Sequence, residues 1–342
     1  MTTVSVVSVE DDTIEEALNR AIDLIEGDQA IRDKKMIAVK PNLCRPKSSS
    51  SGTTTDPRIV EALVRRVNSL ADCQINIVET NNAQTNADET FRRLGYQDLC
   101  RRYNNVRCVN LSKDRRVQVH LDGDIFRSIL VPESMIFCDC LISVAKLKTH
   151  VDYRYTGVLK NQYGFLLSRA RRVRYHGFMS KAIADLNRFY RPDLSIVDGL
   201  VGMEGFGPVD GAPRRVGRLI ASMDPVAADA VGAQLIGIQP SSVEYLRYAE
   251  KKGIGTTRGL RVVGCDLANR LPSFASIPSR YLWLSSIALT LGRYSTYLNG
   301  LAEVVRLARS VLSTVGFPEL QRRMSYIALS RLVFETIFKI DE

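Results

Sequence analysis

Cysteine is scarce in this sequence and never arranged as a ligand motif. Seven Cys in 342 residues are too few for a disulfide scaffold, and an odd number cannot all pair within one chain. The thiols are therefore expected to be reduced and the compartment cytoplasmic. Cys44, Cys73, Cys100, Cys108, Cys138, Cys140 and Cys265 contain no C-x-x-C pair, so neither a ferredoxin cluster nor a zinc ribbon is written locally. A four-iron cluster within one chain is accordingly not expected. Core packing is the default for most of these thiols, with Cys44 the exception because it follows Lys40-Pro41-Asn42.

Long apolar runs are also missing. The longest late stretch without charge, Tyr281 to Gly292, is 12 residues between Arg280 and Arg293. A spanning helix needs about 20. The first residues run into Glu10, Asp11 and Asp12 with no basic start and no apolar core, so no secretory signal is expected. There is no G-x-x-x-x-G-K-[ST] loop and no G-x-G-x-x-G after a strand, which disfavours a nucleoside triphosphatase and the usual dinucleotide fold.

What is present is an ordinary globular mix, 45% hydrophobic and 25% charged, with a net charge of +10. Disorder needs less apolar residue and more unbalanced charge. The positive charge is concentrated. From Lys146 to Arg191 there are eleven Lys and Arg against two acids, Asp152 and Asp185, a net of +9 in 46 residues. His150 and His176 lie inside this stretch. A focused positive field concentrates anions. Such a run also suits a solvated surface loop or a patch that docks an acidic partner. No nucleic-acid recognition module stands out, so nucleic acid is an unlikely partner.

Along the chain, short apolar runs alternate with helical periodicity. Strands are expected at 4–9, 36–39, 75–78, 106–111, 117–121, 141–144, 194–197, 219–222 and 260–263. Helices are expected at 14–26, 59–70, 87–94, 180–189 and 226–236, with Asp56-Pro57 and Asp224-Pro225 as N-terminal signals. This alternation predicts an α/β fold with a mostly parallel, doubly wound sheet. In such sheets ligands bind beyond the carboxyl ends of the strands. Lys40, Asn42, Glu79, Lys146, Lys148, Asp198 and Asp224 all follow a predicted strand, where they would sit on strand-end loops. From Pro272 the character changes to a Ser/Pro linker and then helical spacing. The expected division is thus an α/β core, 1–270, and a helical appendage, 271–342, that packs on the core, on a second copy, or on a membrane surface.

The densest chemistry is Lys146-Leu147-Lys148-Thr149-His150, followed by Thr156-Gly157 and Lys160-Asn161-Gln162-Tyr163-Gly164. A Lys beside a His forms a proton-transfer pair, because the Lys charge lowers the His pKa. Lys148, His150 and His176 are the candidate catalytic groups. Lys40, Asn42, Glu79, Lys146, Thr149, Lys160 and Asn161 are the candidate substrate-binding groups. Asp198-Gly199 through Gly205-Phe206-Gly207 reads as a Gly-rich loop carrying two carboxylates. Asp198, Glu204 and Asp224 could bind a divalent metal or pair with the basic segment.

Lys40-Pro41-Asn42-Leu43, Thr54-Thr55-Asp56-Pro57, Lys146 to His150, Thr156-Gly157, Lys160-Asn161, Asp185-Leu186-Asn187, Asp198-Gly199, Met203-Glu204-Gly205, Gly207-Pro208 and Ser222 to Ala227 with Asp229 together resemble the domain of unknown function 362 family. The resemblance covers about residues 36–264. It implies a shared core and site but names no reaction. Many relatives add a ferredoxin-like iron–sulfur module, which this chain replaces with its helical tail. A remoter similarity is to the nickel-pincer lactate racemase type, which also uses His and Lys in an α/β cleft. The expectation is an enzyme acting on a small carboxylate- or phosphate-bearing ligand by Lys/His acid–base chemistry. The rivals are a non-enzymatic redox or scaffold protein whose basic segment docks an acidic partner or nucleic acid, and an iron–sulfur protein.

Overall fold

In the computed structural model, residues 1–9, 13–82, 85–167, 172, 175–265 and 273–275 are described below. The chain divides into two compact units. One joins Met1–Leu167 to Ser180–Ile277, and the other joins Ser168–Met179 to Pro278–Glu342. The expected helical appendage, apart from residues 273–275, lies outside the described residues, as do Arg169, Arg171 and Arg174 of the basic segment.

The first unit is built on a mixed sheet that is mostly parallel, as the alternation predicted. Its strands are β1 (Thr2–Ser8), β2 (Met36–Pro41), β3 (Gln74–Glu79), β4 (Val106–Asn110), β7 (Cys140–His150), β8 (Arg154–Thr156), β9 (Leu194–Glu204), β10 (Ala212–Ser222) and β11 (Leu260–Gly264). The order is β11-β1-β10-β9-β7-β2-β3-β4, with β8 paired to β7. The block β9-β7-β2-β3-β4 is parallel throughout, and β10 runs antiparallel to β9 and β1. β5 (Arg116–His120) and β6 (Ser128–Pro132) form a separate hairpin.

One face of the sheet is apolar by alternation. Ile37, Val39, Ile75, Ile77, Ile142, Val144, Leu194 and Ile196 are buried in one cluster with Leu18 and Ile22 of α1 (Ile14–Asp23) and Leu63 and Val67 of α2 (Pro57–Leu70). Each such side chain contributes about 1.5–3 kcal/mol when fully buried. α2 starts where its sequence says it should: Pro57 takes the first position and the Asp56 carboxylate accepts the Arg58 N–H. α3 (Ala87–Arg93) and α4 (Tyr96–Arg101) pack at the β4 end. Short α5 (Glu133–Ile136) and α6 (Val158–Asn161) follow β6 and β8, and α7 (Met179–Phe189) leads into β9. α8 (Pro225–Leu235) is buried along nearly its whole length against β9, β10 and β1, which explains its Ala-rich, charge-poor sequence. α9 (Glu244–Lys251) packs against it.

Two sequence-based expectations fail at the centre of the sheet. β7 does not end at Lys146 but continues to His150, with all eleven residues buried. Lys146, Lys148, Thr149 and His150 are therefore strand residues, not loop residues. The first half of the Gly-rich stretch, 198–204, is strand as well, and only 205–211 remains a loop. β9 runs to Glu204 and β10 starts at Ala212, so a β-hairpin arm replaces the expected loop. Polar residues hid both extensions, because burial-based periodicity reads a buried Lys as a solvent-exposed end.

Several polar residues of the motifs hold the backbone rather than face a ligand. Asp185 accepts N–H groups from Asp124, Ile125 and Phe126 at 2.6–3.1 Å. Asn187 donates to Leu159 O and Ile183 O. Asp229, fully buried on α8, accepts the Val158 and Leu159 N–H groups at 2.6 and 3.0 Å and so caps α6. Burial raises the Asp229 carboxyl to about 7. Gly157 is required here, because a Cβ on it would stand 2.0 Å from Asp229 Oδ1 and 2.7 Å from the Tyr155 hydroxyl. Gly157→Ala is expected to cost about 1–3 kcal/mol through forced overpacking, read as a lower urea midpoint at unchanged slope.

Candidate functional site

The site is assembled at the carboxyl ends of β2, β3 and β7, where four lysines are drawn together from distant parts of the sequence. Lys40, Lys146 and Lys148 are at most 1% exposed, and Lys160 on α6 is half-buried. Burying an ammonium is costly unless it is paired and hydrogen-bonded, so the partners of each decide what it does.

Lys40 is paired. Its Nζ donates to Glu79 Oε2 at 2.7 Å and to Pro41 O at 3.1 Å. The Thr80 N–H holds the other Glu79 oxygen, and Thr80 Oγ1 donates to Gly164 O, which closes the turn over Lys40. A Cβ on Gly164 would lie 3.2 Å from Lys40 Nζ, and the Phe165 ring centroid is 5.9 Å away. Lys146 is paired too. Its Nζ donates to Asp198 Oδ2 at 2.8 Å, with both side chains fully buried. Asp198 is completed by the N–H groups of Asp56 and Leu200.

Lys148 and Lys160 differ. Lys148 Nζ donates to Asn42 Oδ1 at 2.9 Å, to Thr53 O, and more distantly to Pro208 O and Cys44 Sγ. All four are uncharged or thiol acceptors. Burial pushes the Lys148 ammonium below the usual lysine range, opposed by the Cys44 sulfur and reinforced by Lys146. Lys160 makes no hydrogen bond or ion pair among the described residues. Burial lowers its amine to about 8, the Lys148 charge adds to that shift, and Cys44 and the Asp152 carboxylate oppose it. The four lysines thus fall into two neutralised pairs and two cations without a hydrogen-bonded carboxylate.

A chain of side-chain amides joins these groups. Asn42 accepts from Lys148 and donates to Asn161 Oδ1 at 3.3 Å. Asn161 in turn donates to Lys40 O and to Ser143 Oγ. Asn42 and Asn161 are therefore positioning residues, fixed at both ends, between the Lys40–Glu79 pair and Lys148. Beside them Gln162 is fully buried, yet neither its amide oxygen nor its nitrogen has a partner, and the Thr156 hydroxyl, opposite Lys148 in the ladder, has none either. Buried polar atoms left unpaired within one short segment mark a place where a polar ligand or water completes the structure.

Other predicted site residues are engaged differently from expectation. His150 Nδ1 accepts the N–H groups of Asp152 and Tyr153 at 3.1 and 3.3 Å, so its ring proton resides on Nε2 and Nδ1 is occupied. Thr149 Oγ1 donates to Met203 O and Gly205 O, which ties β7 to the hairpin arm. His176 belongs to the second unit, where it opens the 3-10 turn His176–Phe178. The three carboxylates offered as a metal set are dispersed in role. Asp198 serves Lys146, Glu204 pairs with Arg214 at 2.7 Å, and Asp224 caps α8 through the Val226 and Ala227 N–H groups. Among the described residues no cluster of three His, Cys, Asp or Glu is placed to bind a metal ion. Sequence reasoning missed the Thr53 carbonyl and Gln162. A main-chain acceptor carries no residue-type signal, whereas Gln162 could have been found from its place directly after Lys160-Asn161.

The pairing makes a stability contrast. Lys146→Met leaves Asp198 buried without its cation and is expected to cost about 3–5 kcal/mol. Lys160→Met removes a desolvated charge and no hydrogen bond, so its stability should stay within about 1 kcal/mol of wild type or rise. Chemical denaturation of the two variants checks this, and equal losses would mean that Lys160 is also paired.

The chain is 26% identical over 231 residues to a thylakoid-associated protein of Synechocystis sp., covering 65% of this chain and 69% of that protein. Among solved structures it is similar to the lactate racemase apoprotein from Thermoanaerobacterium thermosaccharolyticum, with a TM-score of 0.47 and 12% identity. That match covers 69% of this chain and 57% of the racemase. No helix of the described residues is long and apolar enough to cross a membrane. The family model for a domain of unknown function, DUF362, matches residues 37–234, the stretch that carries β2 to α8 and every lysine of the site, and the chain belongs to that family.

Proposed function

We propose that this protein is an enzyme that binds a small carboxylate- or phosphate-bearing ligand at Lys148 and Lys160 and moves protons there with the Lys160 amine. The observation that carries this reading is the asymmetry among the buried lysines. Lys40 and Lys146 each have a carboxylate within 2.8 Å, while Lys148 and Lys160 have none among the described residues. A desolvated cation without a hydrogen-bonded carboxylate is costly to the apo fold, and an anionic ligand supplies a direct partner. The unpaired Gln162 amide and Thr156 hydroxyl supply neutral donors and acceptors for the rest of a polar ligand.

The acid–base role moves from His150 to Lys160. His150 Nδ1 is already an acceptor of two backbone N–H bonds, and protonating it would break both. An amine at about 8 exchanges protons within reach of neutrality, as a general acid or base requires. Lys148, fixed by Asn42 and the Thr53 carbonyl, is a positioned charge for the anion. A divalent metal is no part of this reading, because Asp198, Glu204 and Asp224 each have other partners.

The test is a titration with two simple anions, sulfate and malonate, monitored calorimetrically in the full chain. Binding needs the protonated Lys160. The folded pKa of about 8 therefore sets a window in which affinity is full below pH 7 and falls by up to about tenfold per pH unit above 8. Ligand binding raises that pKa, so proton uptake should accompany binding near pH 8. Lys160→Met should weaken binding at least tenfold at pH 7 and abolish the high-pH limb. Weak binding of both anions that Lys160→Met leaves unchanged, with a strong salt dependence, would instead favour a surface charge patch.

A further inference from the structure

Two thiols outside the lysine site stand in an arrangement that core packing does not require. Cys100 lies in the last turn of α4 and Cys108 lies in β4, and their sulfurs are 2.8 Å apart. Both side chains are half-buried, so small oxidants reach them. The other thiols differ. Cys138 donates to the Cys140 carbonyl, and burial pushes Cys138 up to about 11 and Cys140 higher still. Cys73 is buried and likewise raised. Cys265 faces Ser8 Oγ and Cys44 faces Lys148.

We infer that Cys100 and Cys108 are a redox modification site that closes to a disulfide on reaction with a hydroperoxide. The sulfurs need to approach by less than 1 Å to reach the bonded distance of about 2.05 Å. The two sulfurs share a hydrogen bond in which either can be the donor. The accepting sulfur is the more easily deprotonated and attacks first, and the donating thiol then resolves it. In the first step one of the two thiolates attacks the peroxide oxygen. The O–O bond breaks, that cysteine becomes a sulfenic acid, and the alkoxide leaves and takes up a proton as an alcohol, or as water from hydrogen peroxide. In the second step the other cysteine's sulfur attacks the sulfenic sulfur, the S–O bond breaks, and the hydroxyl leaves with the thiol proton as water. The two thiols are oxidised by two electrons and one peroxide is reduced. The link would fasten α4 to β4, the outer strand of the sheet, whose neighbour β3 ends at Glu79.

The test uses the full chain, purified reduced, treated with a few equivalents of hydrogen peroxide, blocked with N-ethylmaleimide and mapped by peptide mass spectrometry. The expected result is a Cys100–Cys108 linked peptide pair at roughly tenfold or greater excess over any other pairing, reversed by dithiothreitol. Neither Cys108→Ser nor Cys100→Ser can form the link, and in whichever variant keeps the attacking cysteine a sulfenic acid should accumulate there that dimedone traps. Recovery of Cys100 and Cys108 both as maleimide adducts from the oxidised wild-type chain would overturn the proposal. So would a dominant link between any other two cysteines. The wild-type map stands even if a variant fails to fold.

Discussion

Desolvation of positive charge is the constraint around which this fold is arranged. β7 runs through the middle of the parallel block and carries Lys146 and Lys148 into the interior. A strand can bury such residues only if neighbouring strands bring acceptors to them in register. β9 does so by pairing Lys146 with Asp198, and β2 and β3 do so by bringing Lys40 against Glu79. The parallel order β9-β7-β2-β3 is what makes both pairs possible, because it aligns the carboxyl ends of strands that are far apart in sequence. What the scaffold leaves without a hydrogen-bonded carboxylate, Lys148 and Lys160, is then set apart by physical cost and not by residue type alone.

Most of the polar residues that give the family its recognisable pattern are structural. Asp56, Asp185, Asp224 and Asp229 accept backbone N–H groups at helix starts and turns. Each satisfies donors that would otherwise be buried unpaired. Gly157 keeps space for Asp229, and Asp229 in turn fixes the start of α6, the element that presents Lys160, Asn161 and Gln162. A residue several steps from the chemistry thus determines where the Lys160 amine points. Loss of such a residue acts on the site through the backbone.

The thiol pair belongs to another part of the same framework. α4 and β4 close the sheet at its β3 side, where no further strand pairs with β4 among the described residues. An outer strand and the helix packed on it are free to adjust by the fraction of an ångström that bond formation asks, whereas β7, buried on all sides, is not. Covalent chemistry at the rim and charge chemistry at the centre can therefore coexist without either straining the other.

The sequence by itself determined the class of fold, the places of most elements and the identity of the charged cluster. Short Val/Ile runs and 3.6-residue periodicity are local signals, and Asp-Pro pairs mark helix starts through contacts within three residues. Lys40, Glu79, Lys146 and Lys148 stood out as polar residues at or near strand ends for the same reason, and Lys160 and Asn161 through the motif that follows Thr156-Gly157. Their roles were a tertiary matter. Whether a lysine is neutralised depends on a carboxylate 39 or 52 residues away in sequence, and strand register alone brings the two together. The extension of β7 through His150, the conversion of a Gly-rich stretch into the β9–β10 hairpin, and the occupation of His150 Nδ1 by backbone N–H groups were equally invisible. They arise because burial and pairing with neighbours override local polarity, an energy that exists only once the strands have met.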